Sequence, residues 1–161
     1  VNMPYATERW PGGMLTNFVT IRKAIKKMQS IDKMKENGTF ETLSKRERLQ
    51  VDRQRAKLEK DFGSVEDMNR LPAALFVVDI KRESIAVEEA IKLGIPTFAM
   101  VDTNSDPRRV DYAIPANDDA SKSIAVVLER ITAGIKEGLS QRKSDKAAAE
   151  QAKIEKKAAK V

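Results

Sequence analysis

The chain has 161 residues, with 30 Lys and Arg against 24 Asp and Glu for a net charge of +6, and it contains neither cysteine nor histidine. That length bounds it to one domain, or one domain with an appendage. The composition excludes disulfides, thiol nucleophiles, the usual zinc sites and every Ser-His or Cys-His catalytic arrangement.

The first residues, Val-Asn-Met-Pro-Tyr, lack the basic and apolar regions of a signal peptide. A start at Val1 in place of Met points to processing or to residues upstream. At most a short strand is expected over residues 4–7. Arg9-Trp10-Pro11-Gly12-Gly13-Met14-Leu15-Thr16-Asn17-Phe18 follows, with the only tryptophan of the chain. Pro11 lacks a backbone donor and Gly12-Gly13 can take positive φ, so this stretch is a turn feeding the next element. Trp10 is open to two roles, as part of a core or as a stacking surface.

Residues 14–36 read as a helix. Met14, Phe18, Ile21, Ile25, Met28 and Ile31 form one apolar stripe, and Arg22, Lys23, Lys26, Lys27 and Lys33 occupy the opposite side. Asn37-Gly38 is the stop signal, since both residues tolerate the left-handed conformation. Ser44-Lys45-Arg46-Glu47 fits a capping box and opens a second helix, which runs to about Phe62 and ends at Gly63. Two such helices joined by a short loop make an antiparallel hairpin. Its apolar seam is thin, so it is expected to project from a body.

Residues 74–79 and 97–102 are apolar runs that each end in aspartate, and residues 110–114 are a third short strand. Residues 84–93 read as a helix closed by Gly94 with Pro96 beyond it. Residues 118–138 form a long amphipathic helix carrying Ile124, Val127, Leu128, Ile131 and Ile135. This order implies βαβ crossovers and a parallel sheet covered on both faces. Residues 139–161 are a low-complexity basic tail. Three or four strands are too few for a complete sheet, so the body reads as the later part of a larger α/β domain.

Charge is distributed unevenly. Residues 21–60 hold 13 Lys and Arg against six Asp and Glu, residues 136–161 hold eight against four, and the remainder sums to −5. A basic arm and tail on an acidic body suit a polyanion. Arg9, Trp10, Arg22, Lys23, Lys26 and Lys27, with Lys45, Arg46 and Arg48 near the hairpin tip, are the candidate RNA contacts. The alternative is a Mg²⁺-dependent α/β enzyme acting on a phosphorylated substrate through Asp79, Asp102 and Asp106 at strand ends and loops. Against it, Asp106-Pro107 is a turn former, Asn117-Asp118-Asp119 can cap a helix, and no glycine-rich phosphate loop is present. No cofactor, metal, membrane or small-molecule substrate is expected.

Four blocks resemble one family in order and spacing. They are the motif at residues 9–18; Leu75-Phe76-Val77-Val78-Asp79 through Ile85-Ala86-Val87-x-Glu89-Ala90; Leu93-Gly94-Ile95-Pro96 with Val101-Asp102-Thr103-Asn104-Ser105-Asp106-Pro107; and Val110-Asp111-Tyr112-x-Ile114-Pro115-x-Asn117-Asp118-Asp119-Ala120. Phe40-Glu41-x-Leu43 before Ser44 is similar to the hairpin tip of the same family. The family is that of bacterial small-subunit ribosomal protein S-two. The resemblance implies a flavodoxin-like parallel sheet, incomplete in this chain, with a projecting antiparallel coiled-coil hairpin. Residues 1–13 and 64–138 are then the body, 14–63 the hairpin and 139–161 the tail. It further implies a cytoplasmic, non-catalytic protein that binds 16S rRNA. Neighbouring small-subunit ribosomal proteins, including the large mRNA-binding protein S-one, are its other implied partners. Family members usually begin with roughly another hundred residues, about half a domain.

Overall fold

A computed structural model describes Val1 and residues 3–158, with side chains described through residue 146 and at residue 150. The end of the 139–161 tail, residues 159–161, lies outside the described residues. The chain divides into two units, one of Met3–Asp118 and one formed by Asp119 onward with Val1.

In the first unit, α1 (Phe18–Glu36) and α2 (Lys45–Phe62) are joined by a one-turn 3-10 helix, Thr39–Thr42. Gly38, at φ +72°, provides the left-handed turn out of α1. The capping box is present: the Ser44 hydroxyl accepts from the Glu47 amide, and the Glu47 carboxylate accepts from the Ser44 amide at 3.0 Å. Cross-helix ion pairs set the antiparallel register, Lys35 with Asp52 and Arg55 with Asp32, each at 2.6 Å. The seam is apolar. Ile21 and Ile25 of α1 join Met14, Phe62, Val65 and Met68 in one buried cluster, with Trp10, Phe18, Ala24 and Leu58 packed against it. The sparse apolar residues of α2 thus find partners at its C-terminal end and in the turn that follows.

Strands β1 (Leu75–Val78), β2 (Thr97–Val101) and β3 (Tyr112–Pro115) form a parallel sheet in the order β1-β2-β3. Helix α3 (Ser84–Leu93) makes the crossover from β1 to β2 and ends at Gly94, φ +63°. Its Val87 packs with Val77, Ala99 and Val101 from one face of the sheet. The second connection contains only a 3-10 turn at Pro107–Arg109, where parallel strands more often take a helix. The expected cover on both faces is not complete. On the face opposite α3, Phe98 and Tyr112 stand side by side in register and stack at 4.4 Å with 37% and 55% of their surface exposed. Among the described residues no strand forms at 4–7, so the sheet has three strands and not the four that were the upper bound.

Helix α1 begins at Phe18, four residues later than its apolar stripe predicts. Residues 12–17 are turn, because the amides of Gly13, Leu15 and Thr16 have an acceptor elsewhere in the unit.

The second unit is dominated by one helix, α4 (Ser121–Ala158), of 38 residues. It starts three residues after the expected position and continues without a break past residue 138. Residues 139–158 explain this: they are rich in Ala, Lys, Glu and Gln and contain no Gly or Pro, so nothing in them stops a helix.

Candidate nucleic-acid interface

The opening motif is organised by one carboxylate. Glu89 lies on the buried stripe of α3 with Ala86, Val87 and Ala90, and only 5% of it is exposed. Its Oε1 accepts from the Gly13 amide at 2.7 Å and from the Trp10 indole N–H at 3.3 Å. Its Oε2 accepts from the Leu15 and Thr16 amides, both at 2.8 Å, and from the Thr16 hydroxyl at 3.0 Å. Gly13 sits at φ +87°, and a Cβ there would meet the Cβ of Asn17 at 3.1 Å, so both conformation and space call for glycine. Burial pushes the Glu89 carboxyl up, but the amides of Thr16, Leu15 and Gly13 and the Thr16 hydroxyl outweigh it and hold it below its ordinary value. Leu15 packs with Ala90 and Ile95 beside this carboxylate, with Trp10 against them.

The nine candidate RNA contacts fall into two groups. Three are engaged within the protein. Trp10 is half-buried between two apolar clusters and bonded to Glu89. Arg22 donates to the Met68 carbonyl at 3.1 Å and to the Asn69 side chain, tying α1 to the segment after α2. Arg48 donates to the Leu43 carbonyl at 2.9 Å and to the Glu41 carbonyl, bracing the hairpin tip. The other six, Arg9, Lys23, Lys26, Lys27, Lys45 and Arg46, are exposed and form no ion pair among the described residues.

The hairpin's acids account for this asymmetry. Of seven Asp and Glu between residues 14 and 63, Asp52 pairs with Lys35, Asp32 and Glu59 both pair with Arg55, and Glu47 closes the capping box. Four of the seven acids are thus used between the helices or at the cap, and Glu36, Glu41 and Asp61, with no ion pair among the described residues, are outnumbered by the exposed Lys23, Lys26, Lys27, Lys45 and Arg46. Two more exposed cations, Arg53 and Lys57, share the outer side of α2 with Arg46 at helical spacing. The sequence reading missed them, although their spacing from Arg46 is visible in the sequence.

The three aspartates of the enzyme alternative are satisfied locally. Asp79, at φ +64°, accepts from the Lys81 and Arg82 amides at 3.0 and 2.9 Å. Asp102 accepts from the Thr103 amide at 2.6 Å, and that bond, foremost, holds its carboxyl below the ordinary value. Asp106 is held low by Arg108, whose amide and guanidinium both donate to it. Among the described residues, no group of three acidic side chains converges on a metal position. No described helix is long and apolar enough to cross a membrane.

A family model described as Ribosomal protein S2 matches residues 1–138. The chain is 75% identical over 145 residues to the small ribosomal subunit protein uS2 of Flavobacterium johnsoniae, a match covering 90% of this chain and 57% of that protein. It is 74% identical to the uS2 of Christiangramia forsetii, covering 89% of this chain and 48% of that one. With the uS2 of Parabacteroides distasonis the identity is 65% over 152 residues, 94% of this chain and 55% of the relative. The chain spans about half the length of the curated relatives it matches.

Proposed function

We propose that this chain, which belongs to the ribosomal protein S2 family, is a structural constituent of the small ribosomal subunit that binds 16S rRNA through its basic hairpin. The observation that carries the reading is the set of exposed cations, Lys23, Lys26 and Lys27 on α1 and Lys45 and Arg46 at the start of α2, left without ion pairs while four of the hairpin's seven acids are engaged elsewhere. Lys45 and Arg46 add a further argument. They occupy the first turn of α2, where the helix dipole disfavours cations. Their place is costly to the free helix and useful to one that meets phosphate.

The family is one of ribosomal structural proteins, and the enzyme alternative built on Asp79, Asp102 and Asp106 is set aside. In the proposed reading Arg9 and the exposed cations are contacts. Trp10, Arg22 and Arg48 act chiefly by shaping the surface. Residues 1–13 and 64–138 serve as a flavodoxin-like body, residues 14–63 as a projecting coiled-coil arm, and residues 139–161 as a basic tail. Neighbouring small-subunit proteins, among them the mRNA-binding protein S-one, are the other partners, and the bacterial cytoplasm is the location.

Binding to small-subunit rRNA across a salt series tests this. Six phosphate contacts give a log–log slope of roughly −4 to −5. Absent or salt-insensitive binding overturns the reading, and so does failure to co-purify with small subunits in high magnesium.

A further inference from the structure

We propose that Glu89 is a positioning residue for RNA binding: by gathering the amides of Gly13, Leu15 and Thr16 onto one buried carboxylate, it fixes the direction in which the hairpin leaves Arg9. The inference rests on the RNA-binding reading above and adds to it a residue that touches no RNA.

The geometry is specific. Five donors from the opening motif converge on the two oxygens of Glu89, and they come from both ends of the turn, Trp10 and Thr16. The carboxylate sits on α3, which packs directly on the sheet, so the entry to α1 is referenced to the buried core of the sheet. Nineteen-residue α1 starts two residues beyond this anchor. At 1.5 Å per residue its length is about 28 Å, so a 10° change at its root moves its far end by about 5 Å. That distance exceeds the reach tolerance of a hydrogen-bonded phosphate contact. A loosened anchor moves α1 and α2 together, since ion pairs and a shared apolar cluster join them, and so separates Arg9 from the cations that the hairpin carries, most of all Lys45 and Arg46 at its tip, as members of one footprint. The cations remain, but one RNA surface no longer meets all of them at once.

The test is the salt dependence of binding to small-subunit rRNA by the full 161-residue chain, with the active fraction fixed by titration. Each lost phosphate contact lowers the slope by about 0.9. Glu89→Gln is expected to lower it by about two and to weaken binding on the order of tenfold, although no cation has been removed. Thr16→Val removes a single donor, keeps the fold, and is expected to shift the slope in the same direction by less. A Glu89→Gln protein whose active molecules bind with wild-type slope and affinity, the loss appearing only as a smaller active fraction, overturns the proposal. So does a Thr16→Val protein indistinguishable from wild type where Glu89→Gln does not fold. If the wild-type chain itself fails to bind, the RNA reading falls, an outcome separate from failure of the variants alone.

Discussion

Replacing Glu89 by glutamine keeps the side chain's length and one oxygen, and removes the charge and the second acceptor. The glutamine orientation that sacrifices least leaves its oxygen facing the Leu15 and Thr16 amides, 2.8 Å from each, and turns its NH₂ toward Gly13 and Trp10. Donor then faces donor at the 2.7 Å Gly13 contact. The Gly13 and Trp10 bonds are both lost, the short charge-assisted Gly13 bond alone worth about 1.5–3 kcal/mol, and those that remain lose their charged acceptor. The expected destabilisation is about 2–4 kcal/mol, a fall in Tm of roughly 10 °C for a unit of this size. Scanning calorimetry at neutral pH measures it. Acid gives an internal control. The Glu89 carboxyl is held below its ordinary value of 4.5 in the fold, so its contribution is full above the unfolded value and is lost as pH falls through the folded one. The gap between wild type and Glu89→Gln therefore narrows as pH drops below 4.5. A Tm difference under about 2 °C at neutral pH refutes the reasoning. A difference of full size that persists unchanged into strong acid refutes it as well.

Ile25→Ala empties a site at the centre of the hairpin seam, where the side chain is 2% exposed. It is expected to cost about 2–5 kcal/mol, seen as a lower urea midpoint at unchanged slope. Gly94→Ala meets no neighbouring atom within 4 Å, so its cost is that of the left-handed backbone alone, about 1 kcal/mol by thermal unfolding. The triple replacement of Lys23, Lys26 and Lys27 by alanine leaves Tm within about 2 °C. It reduces the salt slope of RNA binding by roughly two to three. A triple variant with wild-type binding removes α1 from the interface.

Those elements whose signals are local were legible in the sequence. The capping box at Ser44 and Glu47, the left-handed stops at Gly38 and Gly94, and the apolar runs of β1 and β2 all lie where the residues place them. What escaped depends on groups distant in sequence. The start of α1 slipped from Met14 to Phe18 because the acceptor for its first amides is on α3. Arg22 and Arg48 look like their basic neighbours in the sequence, and only the carbonyls of Met68, Leu43 and Glu41 distinguish them. One clue was available. Glu89 is an acid on the otherwise apolar stripe of Ala86, Val87 and Ala90, and a buried carboxylate needs donors. The turn at Gly12-Gly13 has amides to offer.

The bonds to Glu89 also have a bearing on the order of folding. They join residues 73 to 79 positions apart, whereas β1 and β2 pair at a separation of 22 and β2 and β3 at 14. The hairpin and the sheet can each assemble from nearer contacts, while the opening motif must close a far longer loop before any of its bonds form. The clasp on Glu89 is therefore expected to be among the last interactions made. Its loss should quicken unfolding and leave the folding rate almost unchanged, so that the joint acts as the protein's brake on opening.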